Sequence, residues 1–434
     1  MDTRKVLVYN SIRLELGEIG RVEEDGRMME GVDGNVARFV YARRHVERVL
    51  ISIATRDESG GNYRDWRDLA DVIGRRAGLK HIGITDNGET GVNIEGATAT
   101  TNQFFRAIEM NRFVCSVDLV SLRVSGRLIA SFLDKATCLT TLHMELIRME
   151  VDEVGLGMAA VAGALRRNVN IRKLTLCNLD EVFLVRILNG LQENVALAKV
   201  VLWFYLWKDG LTNAVSNCME ILLKKTTSIV AVGLRGCMVN VGNVGGVARG
   251  LVKTKTVSEL EFDSEFEDVV SLRWLEKIVA GMEHLTELKL GMQRHEVFGE
   301  QLPVKTFCSM VMPTSNLRSL KVMCDVFGGE DQFEKFLQMV VNSQLWHLDV
   351  RGINRYEYVR SFGLSIPRLK LVSLEFSCCY GRGGEDKSSV KFIVDAILAN
   401  RCLCSVVGRD DYFSEEQNHL LQQSLGRNRG FSCN

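Results

Sequence analysis

Ile171-Arg-Lys-Leu-Thr-Leu-Cys-Asn178 is the stretch of sequence that decides the fold. Apolar residues stand at its first, fourth and sixth positions, in the pattern apolar-x-x-apolar-x-apolar. The alternation in its second half is typical of a β-strand that buries one face. One copy of the pattern, Leu139-Thr-Thr-Leu-His-Met144, precedes this stretch, and another, Leu197-Ala-Lys-Val-Val-Leu202, follows it.

The same pattern recurs over most of the chain. Later copies begin at Ile229, Val257, Leu285, Leu317, Leu345, Leu371 and Leu403, and earlier copies begin at Val46, Leu79 and Val114. This makes about thirteen units, whose starts are spaced by roughly 25 to 35 residues. Chance alternation would not keep such a period, so the sequence predicts a repeat protein.

Segments with helical periodicity lie between the strand patterns. In residues 154–168, the apolar residues Met158, Val161 and Leu165 recur three or four positions apart, and the apolar Leu156 precedes them. The segments with the same character are 180–194, 269–283, 331–342 and 389–400. Alternating strands and helices predict an α/β fold in which parallel strands are covered by helices on one side. Each unit becomes stable by stacking on its neighbours.

The pattern resembles the leucine-rich-repeat family, in its long, ribonuclease-inhibitor-like class, over roughly residues 45 to 425. The resemblance implies a horseshoe solenoid with parallel strands on the concave face and helices on the convex face. The family usually places Asn or Cys three positions after the strand pattern. Asn87, Cys237 and Cys379 match this position, whereas Ile147, Leu179, Gln293 and Ile353 depart from it.

Three segments follow from the repeat boundaries. Residues 1–44 fall outside the period and are predicted to cap the first repeat, with strands at 5–8 and 12–16. Residues 45–412 form the array. Residues 413–434 are predicted to form a C-terminal capping helix and tail, with Leu420, Leu421 and Leu425 on its apolar side.

Composition narrows the class of protein. Lys plus Arg and Asp plus Glu number 54 each, which argues against a general binder of nucleic acids or anionic membranes. No stretch reaches the roughly 18 apolar residues of a membrane span, and no signal-peptide pattern follows Met1. The 12 cysteines lack zinc-ligand spacing. We therefore expect a monomeric cytoplasmic or nuclear protein with reduced thiols, no metal and no cofactor.

Trp203, Tyr205 and three basic residues suggest a partner-binding site on the concave face. The residues between the apolar strand positions point to that face, which puts Lys173, Lys199, Trp203 and Arg235 on neighbouring strands. Trp, Tyr and Arg are enriched among the residues that dominate binding energies. The alternative is that these aromatic residues, with Phe204 beside Trp203, pack against the following helix or a loop.

A second group on the concave face is acidic. Glu259, Glu261, Asp263 and Glu287 lie on two adjacent predicted strands, and Glu265 follows the first of them. Carboxylates placed this closely repel one another unless a cation meets them. A partner protein with a basic segment would relieve this repulsion. The alternative is a solvated face that salt screens.

The sequence does not favour a catalytic site. Asp118 and His143 should lie opposite each other on adjacent strands, with Ser116 two residues from Asp118. A regular sheet offers no evident oxyanion hole, so a hydrogen-bonded surface pair is favoured. His81 and His347 are too far apart to share a metal ion. The glycine-rich stretches match neither a P-loop nor a dinucleotide-binding fingerprint.

The sequence therefore predicts a non-catalytic protein–protein interaction module, such as an adaptor, scaffold or recognition receptor. Two alternatives stay open. Leucine-rich-repeat activators of the Ran GTPase use a loop arginine or asparagine, for which Arg43, Arg44 and Arg64 are candidates, but they carry an acidic tail that this chain lacks. A ubiquitin-ligase substrate receptor would need an adaptor-binding helix, and residues 1–44 show no such pattern.

Overall fold

The computed structural model shows two compact units. The first comprises Met1–Leu206 with Lys225–Ile229, and the second comprises Trp207–Lys224 with Val230–Asn434. The structure describes residues 11–16, 21–24, 27–29, 47–53, 70–86, 94–149, 154–204, 211–239, 241–266, 269–291, 316–323, 327, 329–353, 356–378, 387–408 and 413–431. Each unit is an α/β structure built from strand–helix repeats around an open, mainly parallel sheet.

The first unit contains eleven strands among its described residues. They are β1 (Ser11–Leu16), β2 (Arg21–Glu24), β3 (Arg27–Met29), β4 (Arg48–Ile53), β5 (His81–Asp86), β6 (Ser116–Val120), β7 (Arg123–Val124), β8 (Thr141–Glu145), β9 (Arg148–Met149), β10 (Lys173–Cys177) and β11 (Lys199–Trp203). The sheet order is β11-β10-β8-β6-β5-β4-β1-β2-β3, and β7 pairs with β9 separately. Strands from β4 to β11 in this sheet are parallel.

Helices follow the strands of the first unit. They are α1 (Ile94–Met110), α2 (Gly126–Lys135), α3 (Val154–Arg167) and α4 (Glu181–Leu191), and residues 70–75 are also helical. The Asp180 side chain caps α4 by accepting hydrogen bonds from the Val182 and Phe183 backbone N–H groups.

The second unit repeats this arrangement. Its strands are β12 (Ala231–Val239), β13 (Glu259–Phe266), β14 (Glu287–Gly291), β15 (Ser319–Met323), β16 (His347–Ile353), β17 (Ser373–Cys378) and β18 (Ser405–Gly408), paired in parallel in this order. Its helices are α5 (Asn213–Lys225), α6 (Val241–Lys253), α7 (Val269–Gly281), α8 (Glu330–Val341), α9 (Tyr356–Ser365), α10 (Lys387–Ala399) and α11 (Glu415–Phe431).

All the predicted repeat strands are therefore present, and the predicted helices match α3, α4, α7, α8 and α10 within a few residues. At the N-terminal end, β1 lies parallel to β4, while β2 and β3 extend the sheet in antiparallel fashion. The predicted strand at 12–16 is β1. The predicted strand at 5–8 lies outside the described residues, as do the tail residues 432–434.

The apolar positions of the repeat pattern form the core. Strands such as β6 and β8 alternate half-buried and buried residues, and the buried set includes Leu142, Met144, Leu174 and Leu176. These side chains pack toward the helices, because the helices bury their own apolar faces on that side. The opposite face of each sheet, called here the strand face, carries the residues between the apolar positions.

Buried asparagines connect successive repeats just after the helices. The Asn194 side chain donates to the carbonyl oxygens of Leu165 and Asn168, both at 2.7 Å, and accepts from the N–H groups of Ala196 and Leu197, both at 2.8 Å. Asn111, Asn168 and Asn400 stand at the same repeat position and make equivalent bonds. Each side chain satisfies backbone groups that the turn would otherwise bury without partners.

Three strands of the first unit, β6, β8 and β10, are each followed by a residue in the left-handed conformation. Ser121, Leu146 and Asn178 have φ values of 54°, 50° and 46°, and each donates its N–H to the next strand. Asn adopts this conformation readily, whereas Leu does so at a cost. The apolar residues that follow, Ile147 and Leu179, are buried in the core.

Among the described residues, no helix combines the length and the apolar character needed to cross a bilayer.

Candidate functional site

The strand face of the first unit brings together side chains from different repeats. In the register of β8 and β10, Glu145 lies opposite Cys177 and His143 opposite Thr175. In the register of β10 and β11, Trp203 lies opposite Cys177. Residues that are about one repeat apart in sequence are therefore direct neighbours on this face.

Lys173, Lys199 and Trp203 form what we call the Trp203 surface. Lys173 is exposed, Lys199 and Trp203 are half-buried, and the two lysines are register partners on adjacent strands. Like charges placed opposite each other are unfavourable. Thr175 and Val201, which lie between the two lysines and Trp203 along these strands, are buried, with exposed fractions of 8% and 1%. This surface therefore offers an aromatic ring and two ammonium groups over a packed base.

The other members of the predicted aromatic and basic group are placed differently. Phe204 is 2% exposed, so for this ring the packing alternative is the correct one. Tyr205 lies outside the described residues. Arg235 belongs to the second unit, where it pairs with Glu261.

Asp118 and Ser116 meet His81, a residue that the sequence reasoning did not connect to them. His81 Nδ1 lies 2.9 Å from Ser116 Oγ, and His81 Nε2 lies 3.1 Å from Asp118 Oδ2. The contact between His81 Nε2 and Asp118 Oδ2 is within the range of an ion pair, but its angles are not those of a hydrogen bond. His143 is the register partner of Asp118, as predicted. His81 lies directly opposite Ser116 on the adjacent strand. Aligning the strand patterns of these two repeats would therefore have identified His81 as a neighbour of this pair.

The surroundings of Asp118 favour its carboxylate form. Burial alone would raise its pKa, but the contact with His81 and the charges of His81, His143 and Arg48 outweigh burial and lower the pKa below its usual value. The Arg48 guanidinium lies 4.0 Å away. This arrangement places one negative charge between two imidazoles, and His81 in turn contacts the Ser116 hydroxyl.

A second polar cluster on the same face consists of His143, Glu145 and Cys177. Their ligand atoms all lie within 4.8 Å of one another, and His143 Nε2 is 3.3 Å from Glu145 Oε2. Cys177 is fully buried. Burial, and then the charge of Glu145, raises the pKa of the Cys177 thiol to about 12. The sequence motifs missed this cluster because its members come from two repeats.

In the second unit, cations of the chain itself meet the predicted acidic group. Arg235 binds Glu261 through Nη2 at 2.6 Å and Nε at 2.7 Å, and Lys289 binds Glu287 at 2.6 Å. The register places Glu259 opposite Glu287 and Glu261 opposite Lys289. The carboxylates therefore do not face one another alone, as the sequence reasoning had assumed, because Arg235 on β12 and Lys289 on β14 itself supply cations.

The surroundings of Asp263 disfavour its charged form. Burial, followed by the charge of Glu261, raises its pKa, while Arg235 and Lys321 act in the opposite direction. Lys289 behaves in the complementary way. Burial would lower its pKa, but the hydrogen bond and charge of Glu287, with further carboxylates nearby, raise it. This part of the strand face is a network of mutually compensating charges.

The network extends to β15 and β16. Asp349 is 2% exposed, and its Oδ2 lies 3.3 Å from Lys321 Nζ and 3.1 Å from Arg351 Nε. A buried carboxylate needs such partners, because an uncompensated charge in the interior is costly.

Comparisons with known proteins add little to this description. No family model matches the chain, and no curated protein matches it. A solved structure of a Bacteroides fragilis protein, a structural genomics target, is similar to it with a TM-score of 0.41 and 13% identity, over 62% of this chain and 74% of that chain.

Proposed function

We propose that the chain is a non-catalytic protein–protein interaction module of the leucine-rich-repeat type, and that it binds a partner protein on the strand face. The repeat architecture supports this role, because rows of side chains from successive repeats give an extended surface that suits macromolecular partners. The resemblance of the strand pattern to leucine-rich repeats points the same way, although a fold alone does not fix a function.

The observation that carries the proposal is the Trp203 surface. A half-buried tryptophan on a polar strand face buries much apolar area when a partner covers it. Lys173 and Lys199 lie opposite each other on neighbouring strands beside this ring, and their positive charge favours a partner with an acidic surface. The packed base under these side chains, with Val201 and Thr175 buried, limits the flexibility that a partner would have to freeze.

The charge network of the second unit supports the same role in another way. Its ion pairs are half-buried and lie on the face where a partner would dock. Charged networks at an interface contribute to the selection of partners more than to raw affinity. The basic segment expected for a partner opposite Glu259, Glu261, Asp263 and Glu287 stays a prediction.

The test compares two tryptophans. The wild type, Trp203→Ala and Trp346→Ala would be used to isolate bound proteins, which mass spectrometry would identify, and affinities would then be measured with purified components. Trp346 is 61% exposed and precedes β16, so its variant loses the same ring at another place. We expect Trp203→Ala to weaken binding by about tenfold or more and Trp346→Ala to leave it unchanged.

Circular dichroism must first show that both variants are folded. Equal recovery of every partner by the wild type and the Trp203→Ala variant would remove the Trp203 surface from the proposal. Glu259→Lys would then test the second unit, where loss of a partner would locate binding on the acidic strands. If neither substitution changes any interaction, the strand face is not the binding surface.

A further inference from the structure

His143, Glu145 and Cys177 present three different donor types at one point of the strand face. His143 and Glu145 are two residues apart on β8, so both side chains point to the same face. Cys177 lies on β10 directly opposite Glu145. The backbone register of two adjacent strands thus brings an imidazole, a carboxylate and a thiol together without a loop.

The spacing and burial of these groups suit a small cation. Around a tetrahedral zinc ion, with bonds of about 2.0 to 2.3 Å, donor atoms lie roughly 3.5 Å apart. Here His143 Nε2 and Glu145 Oε2 are 3.3 Å apart, and all three donors fall within 4.8 Å. A small side-chain rotation would therefore complete the arrangement.

The histidine nitrogen gives an independent indication. His143 Nε2 is shielded from solvent and forms no well-aligned hydrogen bond to any residue in the part of the chain that the structure describes. Buried polar atoms are normally hydrogen-bonded. A metal ion between this nitrogen, the carboxylate and the thiolate would give the nitrogen the directed bond that the contact with Glu145 does not provide.

We propose that His143, Glu145 and Cys177 form a binding site for one transition-metal ion of the zinc class, with the fourth position left to water or to a ligand from outside the chain. An imidazole, a thiolate and a carboxylate together favour zinc or cobalt(II) over magnesium or calcium, which prefer oxygen donors alone. Cys177 gives its proton to solvent when the ion binds.

Neighbouring side chains are placed to support such a site. The Asn178 side-chain N–H donates to Cys177 Sγ at 3.5 Å, a contact that stabilises a thiolate. Asp118 is the register partner of His143 on the other side of β8, on the strand from which a carboxylate can orient a ligating imidazole. This proposal is independent of the proposed function, because the site needs no partner protein.

Cobalt(II) is the probe for the experiment. The full-length chain, stripped with a chelator, would be titrated with Co²⁺ while the thiolate-to-cobalt absorption is recorded, and the bound Co²⁺ would be displaced with Zn²⁺. We expect one equivalent with thiolate absorption in the wild type. Glu145→Gln, which keeps the shape of the side chain, should weaken binding by at least about 100-fold, the upper end of the loss seen when a mere supporting residue is removed.

Further variants separate this site from other thiols. Cys177→Ser should abolish the thiolate absorption, and His143→Ala should weaken binding like Glu145→Gln. Cys115→Ser is the matched control, since Cys115 is a half-buried free cysteine of the same unit outside the cluster, and it should bind Co²⁺ as the wild type does. Absence of Co²⁺ and Zn²⁺ binding, or equal affinity in the wild type and Glu145→Gln, would overturn the proposal and leave His143 and Glu145 as an ion pair.

Discussion

Replacement of Asn194 by Ala should strongly destabilise the first unit. The Asn194 side chain is 6% exposed and makes four hydrogen bonds of 2.7 to 2.8 Å. Ala would leave two carbonyl groups and two N–H groups buried without these partners. At about 1 kcal/mol for each abandoned group, the loss is about 4 kcal/mol of unfolding free energy. Few single substitutions cost this much.

The chain itself supplies an intermediate case. Thr226 stands at the same repeat position, and its hydroxyl accepts from the N–H groups of Ser228 and Ile229 at 3.3 and 3.2 Å. Asn194→Thr should therefore keep the accepting half of the bonds and lose the donating half. We expect a cost of about 2 kcal/mol, midway between the wild type and Asn194→Ala.

Urea denaturation followed by far-ultraviolet circular dichroism would measure these differences, as shifts in midpoint at a shared slope. Asn189→Ala is the matched control, because Asn189 is exposed on α4 and its side chain accepts a hydrogen bond from the Gln192 side chain. This substitution should lower the unfolding free energy by less than about 0.5 kcal/mol. If Asn194→Ala shifts the midpoint no more than this control, the connecting role of the asparagines is wrong. If Asn194→Thr lowers the unfolding free energy as much as Asn194→Ala does, the accepted and donated hydrogen bonds do not contribute separately as argued.

Three further predictions concern four substitutions. Leu146→Asn should raise the unfolding free energy by about 0.5 kcal/mol, because Asn tolerates the positive φ better than Leu; a lower urea midpoint would contradict this. Gly190→Ala should lower the unfolding free energy by about 1–3 kcal/mol, since the new Cβ would lie 2.6 Å from the Ala162 carbonyl oxygen. Gly163→Ala has room for its Cβ and should raise the unfolding free energy by about 0.5–1 kcal/mol. Thermal melts that shift both variants in the same direction would refute the packing argument. Hydrogen bonds from Arg249 and Lys224 lower the pKa of Glu220 to about 2, so the contribution of its charge to the unfolding free energy is present above about pH 4.5 and lost as the pH falls toward 2. Glu220→Gln should therefore lower the unfolding free energy by at most about 1 kcal/mol near pH 7 and leave it unchanged near pH 2. Denaturation at several pH values would measure this difference.

The sequence was sufficient to predict the strands because the repeat pattern records burial directly. Each apolar-x-x-apolar-x-apolar copy became a strand, and even the degraded copy at Leu403 leads into β18. The connecting asparagines were also present in the sequence, three positions before the pattern at Asn168, Asn194 and Asn400. They were missed because single polar residues in turns look like ordinary loop residues until their four bonds are seen.

The candidate site was harder to predict, because charge pairing depends on side-chain reach. The sequence placed Glu261 and Glu287 correctly on adjacent strands but treated their charges as a group of like sign. Arg235 on the neighbouring strand β12 pairs with Glu261, and Lys289 on the same strand as Glu287 pairs with Glu287. Asp118 likewise lay in the predicted row with His143, but its closest imidazole is His81 on the other neighbouring strand. The sequence reasoning paired each residue with a neighbour on one adjacent strand only, whereas a side chain in a sheet has neighbours on the strands at both sides.

This geometry explains why motif searches fail on such a chain. A metal or catalytic motif is normally recognised because its residues are a few positions apart on one helix or loop. In a parallel repeat sheet, the nearest neighbour of a strand-face residue lies on the next repeat, as Cys177 does for Glu145. Any donor pair can therefore form without a local signature, and the search must compare equivalent positions of successive repeats. His143, Glu145 and Cys177 fit that search, and their response to cobalt(II) decides whether the register of the sheet alone can build a metal site.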